Sequence, residues 1–191
     1  PREKRWPGLL QELLPDDYVI EEGMGGRTTV FDDPTAPGRN GLQMLLPCLQ
    51  SHQPLGLVVL MLGTNDLKPI FSASPQVVGD GIRALIELIW NPYTMEDGTP
   101  KILLVSPIRI GEDIQDSWLW GIFDHTSVEK SKALSAEFRS IADDYGCNFF
   151  DAATVARPCP GESIHLDEKG HHDLAQALAV ALDVKLRHEK L

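Results

Sequence analysis

Two patterns of hydrophobic residues alternate along the chain, a helical periodicity and short continuous apolar runs. From Trp6 to Leu14 the apolar residues recur at helical spacing, and the pattern stops at Pro15. This stretch predicts a first helix. From Leu55 to Leu62 the sequence LGLVVLML is apolar throughout and ends at Gly63-Thr64-Asn65-Asp66. Such a run is typical of a strand that is buried on both faces of a parallel sheet.

Further candidate helices and strands follow one another along the chain. Helical spacing is found over Leu42 to Gln50, Ser74 to Trp90, Ser127 to Tyr145 and Asp167 to Lys190. Short β-prone runs are found at Tyr18 to Glu22, Ile102 to Ser106 and Asn148 to Asp151. An alternation of strands and helices predicts an α/β fold, in which right-handed crossovers place helices on both faces of a parallel sheet.

Length and charge narrow the class of protein. A chain of 191 residues is long enough for one domain with a sizeable core and too short for two ordinary domains. With 17 Lys and Arg against 28 Asp and Glu, the formal net charge is -11, which would repel nucleic acids. The apolar runs are far shorter than the roughly 20 residues of a membrane span. We therefore expect one compact domain with no nucleic-acid partner and no membrane span.

The number and spacing of the cysteines indicate the redox state of the cellular compartment. Cys48, Cys147 and Cys159 are odd in number, widely separated and without CxxC spacing. This usage favours reduced thiols over a disulfide framework or a zinc site. It predicts a reducing, cytoplasmic location. The opening residues from Pro1 to Trp6 do not resemble a signal peptide, and a leader upstream of Pro1 stays open as an alternative.

Three polar clusters follow predicted strands. They are Gly23-Met24-Gly25-Gly26-Arg27-Thr28, Gly63-Thr64-Asn65-Asp66 and Glu162-Ser163-Ile164-His165. In open α/β sheets the ligand site lies beyond the carboxyl ends of the strands, so we expect the clusters to share one edge. A glycine turn or a lone histidine is more often structural than functional, and only the combination points to chemistry.

In this order the clusters resemble those of the SGNH (GDSL-type) hydrolase family, and more closely its aryl-esterase/acyltransferase branch. The similarity covers nearly the whole chain and is carried by IEEGMGGRTTVFDDPT, NGLQMLLPCLQSH, VVLMLGTNDLK, FFDAATV and SIH. The resemblance implies a flavodoxin-like three-layer α/β/α sandwich and acyl transfer on small ester substrates. It also implies a homo-oligomer and a mechanism that requires no metal and no organic cofactor.

The resemblance assigns roles to four residues. Asn65 would donate its side-chain N–H to the oxyanion, and Gly26 would donate its backbone N–H. His165 would be the general base. Glu162 would orient the imidazole, although the family motif has an aspartate at this position. A backbone carbonyl or Asp151 is the alternative orienting group.

The segment around Trp118 and Trp120 is rich in aromatic residues. The resemblance implies that these two tryptophans, with Met24, line the substrate pocket, while core packing or a subunit contact is an equally good interpretation of the tryptophans. Arg27 is expected to form a structural ion pair with an acidic neighbour such as Asp32 or Asp33, and a substrate carboxylate is the alternative partner.

One element of the family pattern does not occur in this sequence. The family's nucleophile is the serine of a Gly-Asp-Ser block after the first strand, and no such block is found in the 191 residues. Aligned on the pattern, the chain begins inside the first helix, so the first strand and the nucleophile are expected upstream of Pro1. In the strand order 2-1-3-4-5, a missing first strand leaves two inward edges unpaired. The prediction is a single SGNH hydrolase-like domain over residues 1–191 that is N-terminally incomplete.

The function predicted is that of a serine-type carboxylic esterase for small esters, aryl esters among them, with acyl transfer to alcohols or peroxide as an extension. The alternative is a non-catalytic binding or assembly module that kept the fold after losing the nucleophile. A nucleotide-binding function is disfavoured, because no GxGxxG or P-loop follows a predicted strand.

Overall fold

The computed structural model describes residues 1–91 and 98–187. The α-helices are α1 (Trp6–Leu13), α2 (Gly41–Ser51), α3 (Pro75–Ile89), α4 (His125–Tyr145) and α5 (Glu168–Arg187). The strands are β1 (Leu57–Leu60), β2 (Lys101–Ser106) and β3 (Asn148–Asp151). Within the described ranges, none of the helices combines the length and the apolar character that crossing a membrane requires.

The strands form a three-stranded parallel sheet in the order β1-β2-β3. The register pairs Leu60 with Leu104 between β1 and β2, and Leu104 with Phe149 between β2 and β3. Because all three strands run the same way, the loops that follow them emerge at one edge of the sheet.

Side chains of the central strand alternate between two hydrophobic clusters. Ile102 and Leu104 pack with α2, α3 and α4, whereas Leu103 and Val105 pack with α1 and α5. This alternation follows from the period-2 geometry of a strand, and it makes β2 apolar from Ile102 to Val105, with the buried polar Ser106 at its carboxyl end. The result is the expected three-layer α/β/α sandwich.

Local signals in the sequence set the ends of the helices. Ser74 caps α3 by accepting a hydrogen bond from the backbone N–H of Val77. Asp124 and Ser127 form a reciprocal capping box at the start of α4. The same helix stops at Gly146, which has a φ of 69°, a left-handed conformation that glycine adopts without steric cost.

The predicted helices and strands are confirmed with small shifts at their ends, with one exception. Tyr18 to Glu22 was expected to be a strand, and this prediction is wrong, because these residues have no strand hydrogen bonding. Backbone groups form a strand only when a neighbouring strand supplies their partners, and a cavity lies beside this segment instead. The predicted end of the last helix at Lys190 lies outside the described residues.

The cavity, of about 1590 Å³, separates residues 16–25 from the outer edge of β1. We call it the edge cleft. Its lining includes Leu10, Leu14 and Leu182 from one helical layer and Leu45 and Leu49 from the other. In the part of the chain that the structure describes, no strand pairs with this edge of β1. The cleft is therefore apolar on both faces and bounded on one side by backbone.

The burial of the central strand predicts a large effect of truncation. Leu104 is 0% exposed and touches both neighbouring strands. Replacing it by alanine should lower the free energy of unfolding by about 2–5 kcal/mol, because lost contacts and a cavity add together. Urea denaturation measures this. The control is Leu46→Ala on the surface of α2, where the side chain is 37% exposed. Equal losses in the two variants would contradict the assigned core.

Candidate active site

The three polar clusters occupy the carboxyl edge of the sheet. Residues 63–66 follow β1, and residues 159–165 follow β3 and a short 3-10 helix (Ala152–Thr154). The glycine loop, residues 23–28, is linked to the turn after β1 by a hydrogen bond from the Asn65 side-chain amide to the Arg27 carbonyl, at 3.2 Å. The expected convergence of the glycine loop and the Asn65 turn is therefore present.

Glu162 and His165 form a closely bonded pair. The distance from His165 Nδ1 to Glu162 Oε1 is 2.5 Å. The other carboxylate oxygen accepts hydrogen bonds from the backbone N–H groups of His165, at 2.6 Å, and of Ile164, at 3.1 Å. Partial burial alone would raise the pKa of Glu162, but the hydrogen bonds from His165 and Ile164 lower it below its usual value. Glu162 is therefore an ionised acceptor at neutral pH.

The alternative orienting group, Asp151, has other partners. Its side chain accepts hydrogen bonds from Ser135 Oγ at 2.6 Å and from the backbone N–H of Ala153 at 3.0 Å. These bonds cap the 3-10 helix after β3 and tie it to α4. The carboxylate that contacts the imidazole of His165 is that of Glu162.

Asp66 is the buried anchor of this edge. Its carboxylate is fully buried and accepts hydrogen bonds from the backbone N–H of Thr29 at 2.9 Å and from the Thr29 hydroxyl. Burial raises the pKa of Asp66, and the bonds from Thr29 oppose that rise. These bonds tie the turn after β1 to Thr29, directly after the glycine loop.

A second link holds the same two segments together. The ammonium of Lys68 lies 2.9 Å from a carboxylate oxygen of Asp33, and both side chains are largely buried. Asp33 also accepts hydrogen bonds from the Thr35 hydroxyl at 2.6 Å and the Thr35 N–H at 2.9 Å. The expected pairing of Arg27 with Asp33 is therefore wrong. The Arg27 guanidinium instead donates to the carbonyl of Glu22, at 3.0 Å, and the cation beside Asp33 is Lys68.

The predicted pocket residues are at the surface. Trp118 is 73% exposed and Trp120 is 46% exposed, so neither packs in the core. The ring of Trp120 meets the ring of His125 edge to face at a centroid distance of 5.1 Å. Met24 is also exposed, and its sulfur lies 3.7 Å from a guanidinium nitrogen of Arg27.

The edge cleft reaches only part of this site. Asn65, Met24 and Gly25 belong to its lining, whereas the described lining does not include His165, Glu162, Trp118 or Trp120. The cleft opens beside the glycine loop and the Asn65 turn. It runs down between β1 and residues 16–25 rather than across to the histidine.

Several contacts of the site were not foreseen from the sequence. They are the bonds of Thr29 to Asp66, of Ser163 and Gly161 to Asp113, and of Ser117 to the Glu162 carbonyl. The only local signal for the last two is the polar composition of residues 111–117. Pairing between segments far apart in sequence leaves no periodic trace in either segment.

Comparison with known proteins gives consistent results. The model of the GDSL-like Lipase/Acylhydrolase family matches residues 1–172. The chain is 35% identical to the aryl esterase of M. smegmatis, with a TM-score of 0.89, covering 97% of this chain and 87% of that one. It is also 35% identical to a carbohydrate acetylesterase family member from Sinorhizobium meliloti, with a TM-score of 0.88 and coverages of 97% and 88%.

A more distant structure shares the fold alone. It is a member of the lipolytic protein G-D-S-L family from Veillonella parvula, with 14% identity, a TM-score of 0.71 and coverages of 97% and 91%. Among curated proteins there is no match.

The Lys68–Asp33 link predicts a pH-dependent stability. The hydroxyl of Thr35 and the ammonium of Lys68 lower the pKa of Asp33 from 3.8 to about 2. A carboxyl group whose pKa is lower in the folded protein than in the unfolded chain stabilises the folded state at pH values above the unfolded-state pKa. That contribution is lost as pH falls from about 4 to about 2. Asp33→Asn should therefore cost about 2 kcal/mol at pH 7, and the difference from the parent should shrink over that acid range.

Denaturation at a series of pH values measures this difference. Asp16→Asn, at an exposed position, is the control for removing one negative charge. A cost of Asp33→Asn that stayed constant down to pH 2 would contradict the assigned ion pair.

Proposed function

The chain belongs to the GDSL-like Lipase/Acylhydrolase family, and we propose on this basis that it is a serine-type esterase for small carboxylic esters. The observation that carries the proposal is the bonded pair of Glu162 and His165 at the same sheet edge as Asn65 and Gly26. Aryl esters and acetylated carbohydrates are the substrate classes to test first, because the similar proteins are described as an aryl esterase and a carbohydrate acetylesterase.

His165 acts as the general base in this proposal. An ionised carboxylate can only accept hydrogen bonds, so the bond at 2.5 Å requires that Nδ1 of His165 donates to Glu162. In the neutral imidazole the other ring nitrogen, Nε2, is then the acceptor. Nε2 takes the proton of the attacking hydroxyl and returns it to the leaving alcohol. Glu162 stabilises the imidazolium that forms between these steps.

Asn65 and Gly26 stabilise the oxyanion. The amide of Asn65 has two N–H groups, of which one is bonded to the Arg27 carbonyl. The second is available to a ligand in the edge cleft that Asn65 lines. Gly26 has a φ of 80°. This left-handed conformation is unfavourable for residues that carry a side chain, and glycine adopts it freely. Donors of this kind act on the charge that develops in the transition state.

A serine on a strand within the edge cleft supplies the nucleophile. The cleft has the apolar walls that a strand buried on both faces needs, and its length follows β1 towards Asn65. The first residues of the chain lie near the carboxyl edge, since Lys4 bonds Glu168 at 2.9 Å and the backbone N–H of Trp6 bonds His171 at 3.3 Å. A strand upstream of Pro1 that ran parallel to β1 would deliver a serine to this edge.

The acyl group passes to water, or to an alcohol or peroxide that reaches the acyl-enzyme first. The exposed apolar side chains of Trp118, Trp120 and Ile122 form a surface that a second copy of the chain would cover, and they support the homo-oligomer in the proposal. Acyl transfer enters the proposal through the resemblance to the aryl-esterase/acyltransferase branch.

The second candidate function is a non-catalytic binding module. It is favoured by one observation, the absence of a Gly-Asp-Ser block from the 191 residues. In this case the edge cleft would bind a strand that carries no nucleophile.

The first test is the denatured mass of the purified protein before and after treatment with an organophosphate, which phosphorylates activated serines. The esterase proposal expects one adduct on a longer chain or on a second, associated peptide. The 191 residues with no adduct would favour the binding module. Heat-denatured protein treated in parallel controls for non-specific labelling.

The second test is substitution of the proposed catalytic groups, in the form of the protein that turns over an aryl ester. Asn65→Ala should lower kcat roughly a hundred- to thousandfold, because one oxyanion donor is lost. His165→Ala should lower kcat by roughly a hundredfold or more, because the general base is lost. His172→Ala, a neighbouring histidine on α5, is the matched control and should keep the parent rate. Parent rates in either test variant would remove that residue from the mechanism.

A further inference from the structure

The histidine loop, residues 159–165, contains two residues in the left-handed conformation. Gly161 has a φ of 75° and Ser163 has a φ of 70°. Glycine takes this conformation freely, whereas a serine is strained in it. Ser163 is nevertheless almost fully buried, so contacts from outside the loop must hold it in place.

Those contacts come from the bracing segment, residues 109–117, which follows β2. The Ser163 hydroxyl donates to Asp113 Oδ1 at 2.7 Å, and the backbone N–H of Gly161 donates to Asp113 Oδ2 at 3.2 Å. The backbone N–H of Gly111 donates to the Ser163 carbonyl at 2.7 Å. One carboxylate thus bonds both left-handed residues of the histidine loop.

The two segments are close enough that a side chain at Gly111 would not fit. A Cβ atom there would lie 2.5 Å from Asp113 Oδ1 and 3.0 Å from the Cβ atom of Ser163. The bracing segment makes a fourth hydrogen bond to the loop, because the hydroxyl of Ser117 donates to the Glu162 carbonyl at 2.7 Å.

The conformation of Ser163 decides where Glu162 points. Ser163 lies between Glu162 and the two backbone N–H groups, of Ile164 and His165, that the Glu162 carboxylate accepts from. In this loop the groups meet across the left-handed turn at Ser163. The same turn brings Nδ1 of His165 to the carboxylate.

We infer that Asp113 is a positioning residue, which holds Ser163 in the left-handed conformation and through it holds the Glu162 carboxylate on Nδ1 of His165. Asp113 touches neither His165 nor the expected position of a substrate, so it acts on the chemistry only through the loop. The inference deepens the proposed function and rests on it for its catalytic consequence, while its structural part stands on the histidine loop alone.

The test is the tautomer of His165, read by long-range correlation of the ring nitrogens with the carbon-bound ring protons in 15N-labelled protein at alkaline pH. His165→Gln assigns the signals. The parent should show the Nδ1–H tautomer, because Nδ1 donates to Glu162. Asp113→Ala should convert His165 towards the Nε2–H form that free histidine favours. Asp116→Ala, in the same segment and at an exposed position, is the matched control and should keep the parent tautomer.

Adding Ser163→Gly to Asp113→Ala tests for rescue of the tautomer, which is not expected if Asp113 only stabilises the fold. Glycine adopts the left-handed conformation without a side chain to hold it, so Ser163→Gly added to Asp113→Ala should restore the Nδ1–H tautomer in part. In the form that turns over an aryl ester, Asp113→Ala should lower kcat by roughly ten- to a hundredfold at unchanged KM, the effect of a small misplacement of a catalytic group. If Asp113→Ala does not fold, Asp113→Leu, which is similar in size and accepts no hydrogen bond, carries the same test.

Three outcomes would overturn the inference. They are an Nε2–H tautomer in the parent, an unchanged Nδ1–H tautomer in the Asp113 variants, and an equal loss in Asp116→Ala. A tautomer that depends on Asp113 in a protein without ester turnover would support the positioning role and reject the proposed function alone.

Discussion

A carboxylate without access to solvent organises the carboxyl edge of the sheet. An ionised side chain in such a place costs several kcal/mol unless hydrogen bonds compensate for the lost water. For Asp66 the N–H and the hydroxyl of Thr29 provide them. The glycine loop cannot move away from the turn after β1 without leaving this carboxylate unpaired. The position of the glycine loop beside the Asn65 turn therefore depends on the hydrogen bonds of this buried carboxyl group.

The two sides of the candidate site are built on different physical principles. On the side of Asn65, buried groups hold the loops, and the Lys68–Asp33 pair adds to the hold of Asp66. On the side of His165, the imidazole is exposed, and hydrogen bonds from residues 109–117 shape the loop. Buried bonds resist competition from water, whereas exposed ones do not. On the His165 side the bond between the imidazole and Glu162 is exposed, whereas Ser163, which residues 109–117 hold in place, is almost fully buried.

The sequence predicted the elements whose signals are local. The apolar run of β1, the capping serine of α3 and the stop of α4 before Gly146 are each readable within a few residues, and all three match the structure. The segment from Tyr18 to Glu22 has the same β-prone composition, but a strand also needs a neighbour, which composition does not reveal.

In the candidate site, too, the residues could be predicted from the sequence, whereas their hydrogen-bond partners could not. The resemblance to the SGNH family pointed to Asn65, Gly26, Glu162 and His165, because each belongs to a short motif in the family's order. The partners of those residues were not readable. Nothing within residues 109–117 indicates that Asp113 bonds a serine 50 residues later, and the partner of Asp33 proved to be Lys68, 35 residues away, rather than the nearby Arg27.

The packing of α1 on α5 has a consequence for how the chain acquires its structure. Lys4 and Glu168 are separated by 164 positions in sequence, so this layer closes only when almost the whole chain is available. The opposite layer consists of α2, α3 and α4, which pack with their neighbours in sequence. During synthesis on a ribosome, the layer of α2 to α4 can assemble first. The apolar face of α1 stays exposed until α5 has been synthesised. Long-range closure of this kind slows folding and exposes the nascent chain to aggregation.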